Sequence, residues 1–551
     1  SPMMPVTLTE AEFEALTEYE PRYYDVLGIG TYFGPKRIAW DTDVYDSSTG
    51  IHVATTGDDS TGDGSVGNPY LTISKGWDIA VAANGGTVWV HGGEYAENVS
   101  GGYFLKNAAA PSSTVTIRGV PGEKVVWTNT ATGAYVFRLT GACSNITIRN
   151  VTFRQAYASG SGFVYCNDAS NALSNLQLIE CHFDGAVNRA TYFIQIVGAG
   201  GSSGVKVKRC SMTASGTGMS TIFSNHAGLE VVGNSFVNTA SAVSWFGVRL
   251  NAGNSGNIYL NSNYLRGADG DGINQDTAFT GTAAVVARRN EVILTTGGDG
   301  LYLYGGSASF PATVDIRRNR ISSPSGNGLV VVQAVSGGTM ENNRVVAGAD
   351  RVMNCGADGV GLEPVENVIV RHNHAIGQDA GTTHTLLIGP FSSGITADYN
   401  IVDGSDGAHY GLVFKGANSS FTNGIIYGGT DSALYLKGTD TCAVSRCLVV
   451  QNQSTVDATL EFQDGSALEP LVDSSVTECI FELTAGKLYD FGAGSTHLST
   501  GNVINSNAYL LSGTATWGTM FASAVTSLAE VRASWAANYD VATNDADSTD
   551  E

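Results

Sequence analysis

Proline and positive charge are both scarce in this chain. Only 12 of its 551 residues are Pro, so it has no material for a proline-rich linker. Lys and Arg number 29 against 51 Asp and Glu, a net charge of −22. Such a surface repels nucleic acid and anionic membranes, and neither is expected as a partner. No run of 18 apolar residues occurs, so no segment reads as a membrane-spanning helix. The basic, apolar, small-residue order of a secretion signal is missing from the N-terminus. The eight Cys lack the short paired spacings of a disulfide framework or a zinc site. Synthesis and folding in a reducing cytoplasm is the expectation, with Ser1-Pro2 read as a cloning remnant ahead of Met3 or Met4. Amphipathic helical stretches do not separate the apolar runs, which excludes leucine-rich and ankyrin-type repeats.

Glycine is abundant, at 69 residues against a usual share of about 7%. So is one recurring segment end, in which a β-branched run leads into Asn or Cys. It occurs at Asn150, Cys181, Cys210, Asn234, Asn263, Asn290, Asn319, Asn343, Asn373, Asn400, Asn423, Cys447, Cys479 and Asn502. The spacing averages about 27 residues, the mark of a solenoid with one coil per repeat. Within a repeat the apolar residues alternate: Val314, Ile316 and Ile321 face one way, Asp315 and Arg317 the other. Period two is a half-buried strand. The expected fold is therefore all-β, a single-stranded parallel β-helix of about 14 coils. Equivalent residues of successive coils then sit roughly 4.8 Å apart. Asn at one turn of each coil would adopt the left-handed conformation and bond its amide to the neighbours above and below. Cys181/Cys210 and Cys447/Cys479 read as buried thiols in adjacent coils, with disulfides as the rival reading. A second recurrence is Asp271-Gly272, Asp299-Gly300, Asn327-Gly328, Asp358-Gly359 and Tyr410-Gly411. Gly tolerates φ > 0, so these acidic residues read as turn chemistry rather than catalysis.

The chain divides into four parts. Residues 1–48 are not β-helix: Thr9-Glu10-Ala11-Glu12 is a capping box opening a short helix over 11–18, and two strand-like pieces follow. So few apolar residues cannot bury a core, so the segment must dock on something. The order T-x-A-E-F-E-A-L, then Y-Y-D-V at 23–26, then Y-F-G-P-K-R-I-A at 32–39, resembles the N-terminal virion-attachment segment of bacteriophage tail fibre and tailspike proteins. In residues 49–100, a Gly/Asp loop at 57–64 is followed by Pro69-x-x-Thr72, a helix over 75–83 and the run Gly85 to Tyr95. This opening is similar to that of right-handed β-helices of the pectate-lyase-like superfamily, in which such elements cap the first coil. Asp58, Asp59 and Asp63 in the loop are candidate Ca²⁺ ligands; no other cofactor is expected. Residues 101–505 are the β-helix proper. Residues 506–551 form a C-terminal cap, with Trp517 and a capping-box helix from Ser527, and a solvated acidic tail at 545–551. The resemblance implies a virion tail protein, assembled in the host cytoplasm as a homotrimer. It would join other tail proteins through residues 1–48 and bind a host surface glycan. A free polysaccharide lyase or hydrolase and a purely structural virion protein are the alternatives.

The fold does not decide function, and the paired-Asp, Gly-His-Gly pattern of polygalacturonases is absent. Aligned on the Asn positions, the residue two before is outward in five consecutive coils: Arg288, Arg317, Glu341, Arg371 and Asp398. The residue one before is Arg289, Arg318, Asn342, His372 and Tyr399. Glu341 and Asp398 lie two coils apart, roughly 9.6 Å, close to the separation of about 6.5–9.5 Å in inverting glycosidases. Arg371 lies between them, which suits an ion-pair ladder better than a general acid. The catalytic candidates are thus Glu341 and Asp398, with Arg371 screening an acidic sugar and His372 or Tyr399 taking a proton. Arg288, Arg317 and Tyr399 are the glycan-binding candidates. His374, His384 and His409, with Glu363 and Glu366, match no metal-ligand spacing. Tyr302/Tyr304, Trp245/Phe246 and Tyr192/Phe193 could stack on sugars, one of each pair being core. Ile369 and Phe421 hint at an outward apolar stripe for trimer contacts.

Overall fold

The computed structural model describes residues 45–97, 104–530 apart from short internal stretches (the longest being 464–472 and 492–502), and 549–550. The candidate attachment segment before residue 45, Asp358, Asn502 and most of the helix from Ser527 lie outside the described residues.

One coil illustrates all the others. In strand Ala312–Arg317, Val314 and Ile316 are buried and Asp315 between them is half-buried. Arg318 then takes a φ of 58°, and this single left-handed residue makes the corner. Asn319 follows it into the interior, and Arg320–Ser323 runs on with Ile321 buried. Strand Leu329–Val331, wholly buried, completes the coil. Each strand pairs in parallel with its counterpart one coil on: Arg317 with Glu341, Ile321 with Val345, Leu329 with Met353. Three parallel sheets result, called here the first, second and third in the order a coil visits them. The first has 19 strands, but Val365–Glu366 with Val368–Arg371, and Ser392–Ser393 with Thr396–Asp398, each share one coil, so the coil count differs only slightly from the fourteen expected. Rungs at Ile51–Val53, Gly86–Val90 and Val115–Gly119 precede Asn150 and carry neither Asn nor Cys at the corner.

The ladder exists but is placed differently from the expectation in three respects. The left-handed residue is the one before the ladder Asn: Arg289, Arg318, Asn342, His372 and Tyr399 have φ between 51° and 58°. The Asn itself turns inward. Asn150 and Asn423 occupy that left-handed corner, so the ladder slots in their coils fall to Val151 and Gly424. Near the C-terminus the slot belongs to Asn507, whose Oδ1 accepts the Cys479 N–H at 2.9 Å. Six consecutive amide links run from Asn234 to Asn400, each 2.9–3.0 Å. All eight cysteines are buried free thiols, so the disulfide alternative is set aside.

The turns before the third sheet form a second, polar ladder. Asp271 Oδ1 accepts the Asp299 N–H, Asp299 Oδ1 accepts the N–H and Nδ2 of Asn327, and Asn327 Oδ1 accepts the Arg351 N–H. Burial pushes the Asp299 carboxyl above its ordinary range. The glycines here serve a purpose other than φ > 0. A Cβ at Gly300 would sit 2.1 Å from Ile321 Cγ2, so close approach of the sheets dictates Gly.

At the N-terminal end, helix Ile73–Ala82 covers the first coils, with Thr72 as N-cap. The Glu97 carboxylate accepts the N–H groups of Ile73 and Ser74. Trp77 is buried and reaches Phe137, 6.2 Å away, closing the apolar cross-section. Behind it the rings of Trp127, Phe153 and Phe183 stack at 5.7 and 5.4 Å. Asp58 accepts the N–H groups of Ser60 and Thr61, Asp63 that of Ser65, and Asp59 those of Leu71 and Thr72. Asp58 and Asp63 bond within the loop, and Asp59 ties it to the helix N-cap Thr72. No three His, Cys, Asp or Glu converge as a metal site among the described residues. At the other end, Thr516–Met520 and Ser523–Val525 form an antiparallel pair ahead of the expected capping box, in which Ser527 Oγ accepts the Glu530 N–H at 3.3 Å.

His52, in the N-terminal strand Ile51–Val53, is only 1% exposed, its Nδ1 3.2 Å from His91 Nε2. Tyr45 meets both rings edge-on. Burial, then the charge of His91, holds His52 below the usual histidine range. Burial and then Arg344 do the same to His374. A histidine whose folded pKa lies below its unfolded value, about 6.5, binds protons more readily when unfolded. Stability is then full above about pH 6.5 and is lost as pH falls below it. The melting temperature should drop between pH 7 and 5, and less steeply in His52→Gln; equal slopes would exclude His52 as a cause.

Candidate functional site: an arginine-rich corner

The corner between the first and second sheets is where the outward residues carry chemistry. Parallel register sets Arg288, Arg317, Glu341, Arg371 and Asp398 in one column, one rung apart, as the Asn alignment predicts. Asp315, two residues before Arg317, completes the set. It pairs with Arg288 and, at 2.6 Å, with Arg317 Nε. Glu341 meets Arg317 Nη1 at 3.4 Å and Arg371 Nε at 3.1 Å. The order of charge is therefore Arg288, Asp315, Arg317, Glu341, Arg371, an alternating ladder.

Asp398 stands apart from that alternation. Its Oδ1 accepts Thr422 Oγ1 at 2.8 Å and Asn423 Nδ2 at 2.7 Å. Beside it the left-handed His372 and Tyr399 stack, centroids 5.4 Å apart and 11° from parallel. Tyr399 is 54% exposed, and His372 Nδ1 lies 4.0 Å from Glu341 Oε1. An exposed ring pair thus flanks two of the candidate carboxylates. Glu341, closed on from two sides by guanidinium groups, is not the isolated apolar carboxyl that a general acid needs.

Sequence reasoning named the columns holding Arg288, Arg317 and Arg371 and holding Arg289 and Arg318, but missed the arginines of the second sheet. The neighbouring columns add Arg289 and Arg318 at the left-handed corner and Arg320 and Arg344 on the second sheet, all exposed. Seven arginines thus face four carboxylates, Glu291, Asp315, Glu341 and Asp398, over five coils of a chain with net charge −22. They crowd one another: burial, then Arg318 and Arg288, lowers the pKa of Arg289. The signal was in the sequence as the Arg that follows the ladder Asn in R-R-N-R at 317–320 and E-N-N-R at 341–344.

The remaining candidates separate. His374 lies on the second sheet, whereas His384, on the third, stacks on Tyr410 at 5.7 Å. His409 pairs with Asp431 at 2.8 Å. Trp245 and Phe193 are core while Phe246 and Tyr192 are half-buried, as expected of such pairs; Tyr302 and Tyr304 are both half-buried. Ile369 is 40% exposed, but Phe421 is fully buried and cannot serve an outward stripe.

No protein family and no curated protein matches the chain. Solved structures do match in fold. The mannuronan C-5 epimerase A-module of Azotobacter vinelandii is 13% identical, covering 87% of this chain and 94% of that one, TM-score 0.26. Bacteriophage CBA120 tailspike protein 3 is 13% identical over 84% of this chain and 62% of that one, TM-score 0.30. A tailspike mutant of E. coli bacteriophage HK620, in complex with hexasaccharide, is 13% identical over 81% and 76%, TM-score 0.36. Sheet order and register make the chain an all-β parallel β-helix, and in that architecture it resembles phage tailspikes and β-helix enzymes that act on polysaccharides.

Proposed function

We propose that this chain is the glycan-binding solenoid of a bacteriophage tail fibre or tailspike, holding an acidic host surface polysaccharide along the arginine-rich corner. The observation that carries this reading is the concentration of seven arginines in a chain of net charge −22. Guanidinium groups bind carboxylates through paired, charge-assisted hydrogen bonds. A corner that repeats every rung offers successive sugars of a linear polymer similar partners. Attachment to the virion through residues 1–48 rests on the sequence resemblance of that segment. Assembly as a homotrimer gains support from the second sheet. Its outward row reads Ile401, Ile425, Leu448 and Ile480 in successive rungs, where earlier coils place His182, Ser211 and Ser235. An apolar row of this kind is a natural contact for another copy.

A lyase is the second reading, favoured by Arg371, His372 and Tyr399 standing together. In it Arg371 would neutralise a uronate carboxylate while His372 or Tyr399 takes the adjacent proton. Incubating the protein with host capsule or lipopolysaccharide separates the two. Binding without new reducing ends or unsaturated uronate absorbance is the expected result. If cleavage occurs and is unaltered by Glu341→Ala, Asp398→Ala and His372→Ala, the corner is not its site. A stable monomer in solution would count against the spike assembly.

A further inference from the structure

The outward face of the third sheet carries a second constellation. Parallel register places Arg138, Tyr165, Gln195, Phe223 and Arg249 in one column over five successive rungs. Three residues earlier on the same strands runs a second column with Tyr135, Tyr192 and Phe246. Gly162 occupies the slot between the two tyrosines, where a Cβ would lie 2.7 Å from the Tyr135 ring. The columns lean together. Tyr135 packs on Tyr165 at 4.7 Å, and Tyr192 stacks on Phe223 at 4.4 Å, 27° from parallel. A guanidinium covers each group: Arg138 lies 5.0 Å from the Tyr165 ring, and Arg249 lies 4.9 Å from Phe246 and 6.0 Å from Phe223. Every one of these rings is half-buried, so each keeps part of a face or edge in solvent.

We infer that this face is a separate binding platform for an acidic glycan, laid along the solenoid axis with sugar rings against the aromatic groups and carboxylates toward Arg138 and Arg249. The inference rests on the glycan reading of the protein but uses no residue of the arginine-rich corner. Two chemical features point to sugar. Planar aromatic faces in a flat, shallow array suit the apolar face of a pyranose ring, which needs no deep pocket. The two arginines stand four rungs apart, about 19 Å, a spacing that only an extended ligand spans. The aromatic groups alternate along that distance, as a polymer with a repeating ring would require. An alternative role as cross-strand packing only makes a different forecast, because packing affects stability and not binding.

Binding is read with the full chain on an immobilised array of acidic and neutral bacterial polysaccharides. The wild type is expected to retain uronate-bearing polysaccharides. Tyr165→Ala and Phe223→Ala should each weaken that retention about tenfold or more. Arg138→Gln combined with Arg249→Gln should abolish the preference for acidic over neutral polymers. Tyr165→Leu and Phe223→Leu keep the apolar contact with the sheet and guard against misfolding; they should lose binding while melting within a few degrees of wild type. Unchanged affinity in the ring variants, or lower melting without lower affinity, overturns the platform. Normal ring variants beside a defective Arg289→Gln/Arg318→Gln protein would leave the glycan reading standing and remove the platform alone. No retention of any polysaccharide by the wild type overturns both.

Discussion

Asn319→Ala should cost about 4 kcal/mol of the stability of its coils, whereas Asn423→Ala should cost about 1. The two residues end near-identical segments, yet they occupy different slots. Asn319 Oδ1 accepts both the backbone N–H and Nδ2 of Asn290, while its own Nδ2 donates to Ala287 O and Asn343 Oδ1. Truncation leaves two donors of Asn290 buried without acceptors, and each such loss costs about 1–3 kcal/mol. A small cavity adds to this. Asn319→Asp should be worse still, since a second acceptor oxygen would then face the Ala287 carbonyl. Asn423 instead sits half-buried at the left-handed corner, where its amide reaches Asp398. There Ala pays mainly the conformational penalty of φ > 0. A solenoid unfolds coil by coil, so amide hydrogen exchange is the suitable measurement. Protection at the amides of 288–292 should collapse in Asn319→Ala and persist in Asn423→Ala. Equal effects at both positions would mean that the amide ladder contributes nothing beyond turn geometry.

The same pair shows what the sequence could and could not reveal. The 27-residue period, the lack of intervening helices and the alternation of Val314, Asp315 and Ile316 point to a parallel β-helix, since a coil of that length holds only a few short half-buried strands and their turns. They do not separate two adjacent slots that both favour Asn, one for its left-handed φ and one for its two-sided amide. The offset to the next core residue does: Asn319 lies two before buried Ile321, and Gly424 lies two before buried Ile426. Asn423 is followed by Ile425 and Ile426, so the apolar pattern is ambiguous just there. The one-residue slip also explains Phe421. It lies three before the true slot, as Ile316 does, and therefore points inward. For the candidate site, the fixed offset from the ladder made the first sheet legible, and the column from Arg288 to Asp398 was read correctly. Asp315 was passed over because it stands four residues before the slot rather than two. On the third sheet Tyr192 and Phe246 stood out as sugar-stacking candidates, but their columns were illegible for a stronger reason. Linkers of varying length separate the third sheet from the ladder, so no constant offset relates Tyr165, Phe223 and Arg249.

The second large effect concerns binding. Arg289→Gln and Arg318→Gln should each lower affinity for an acidic polysaccharide about tenfold, the equivalent of one charge-assisted hydrogen bond. Together they should lower it about a hundredfold. Both side chains are exposed at the left-handed corner, and Gln tolerates that backbone no worse than Arg. The melting temperature of each variant is read beside its binding. Arg317→Gln is expected to harm both, because Asp315 and Glu341 would lose a shared cation and present bare negative charge to the ligand. Salt should weaken wild-type binding, since exposed charges are screened within about 8 Å at physiological ionic strength.

The most direct measurement is the affinity of the full chain for an acidic host polysaccharide as salt is raised, in the wild type and in Arg289→Gln/Arg318→Gln. Binding that weakens steadily with salt in the wild type, and is about a hundredfold weaker with a shallower salt response in the double variant, is the predicted result. Binding equal in the two proteins and indifferent to salt would contradict a glycan site on the arginine-rich corner.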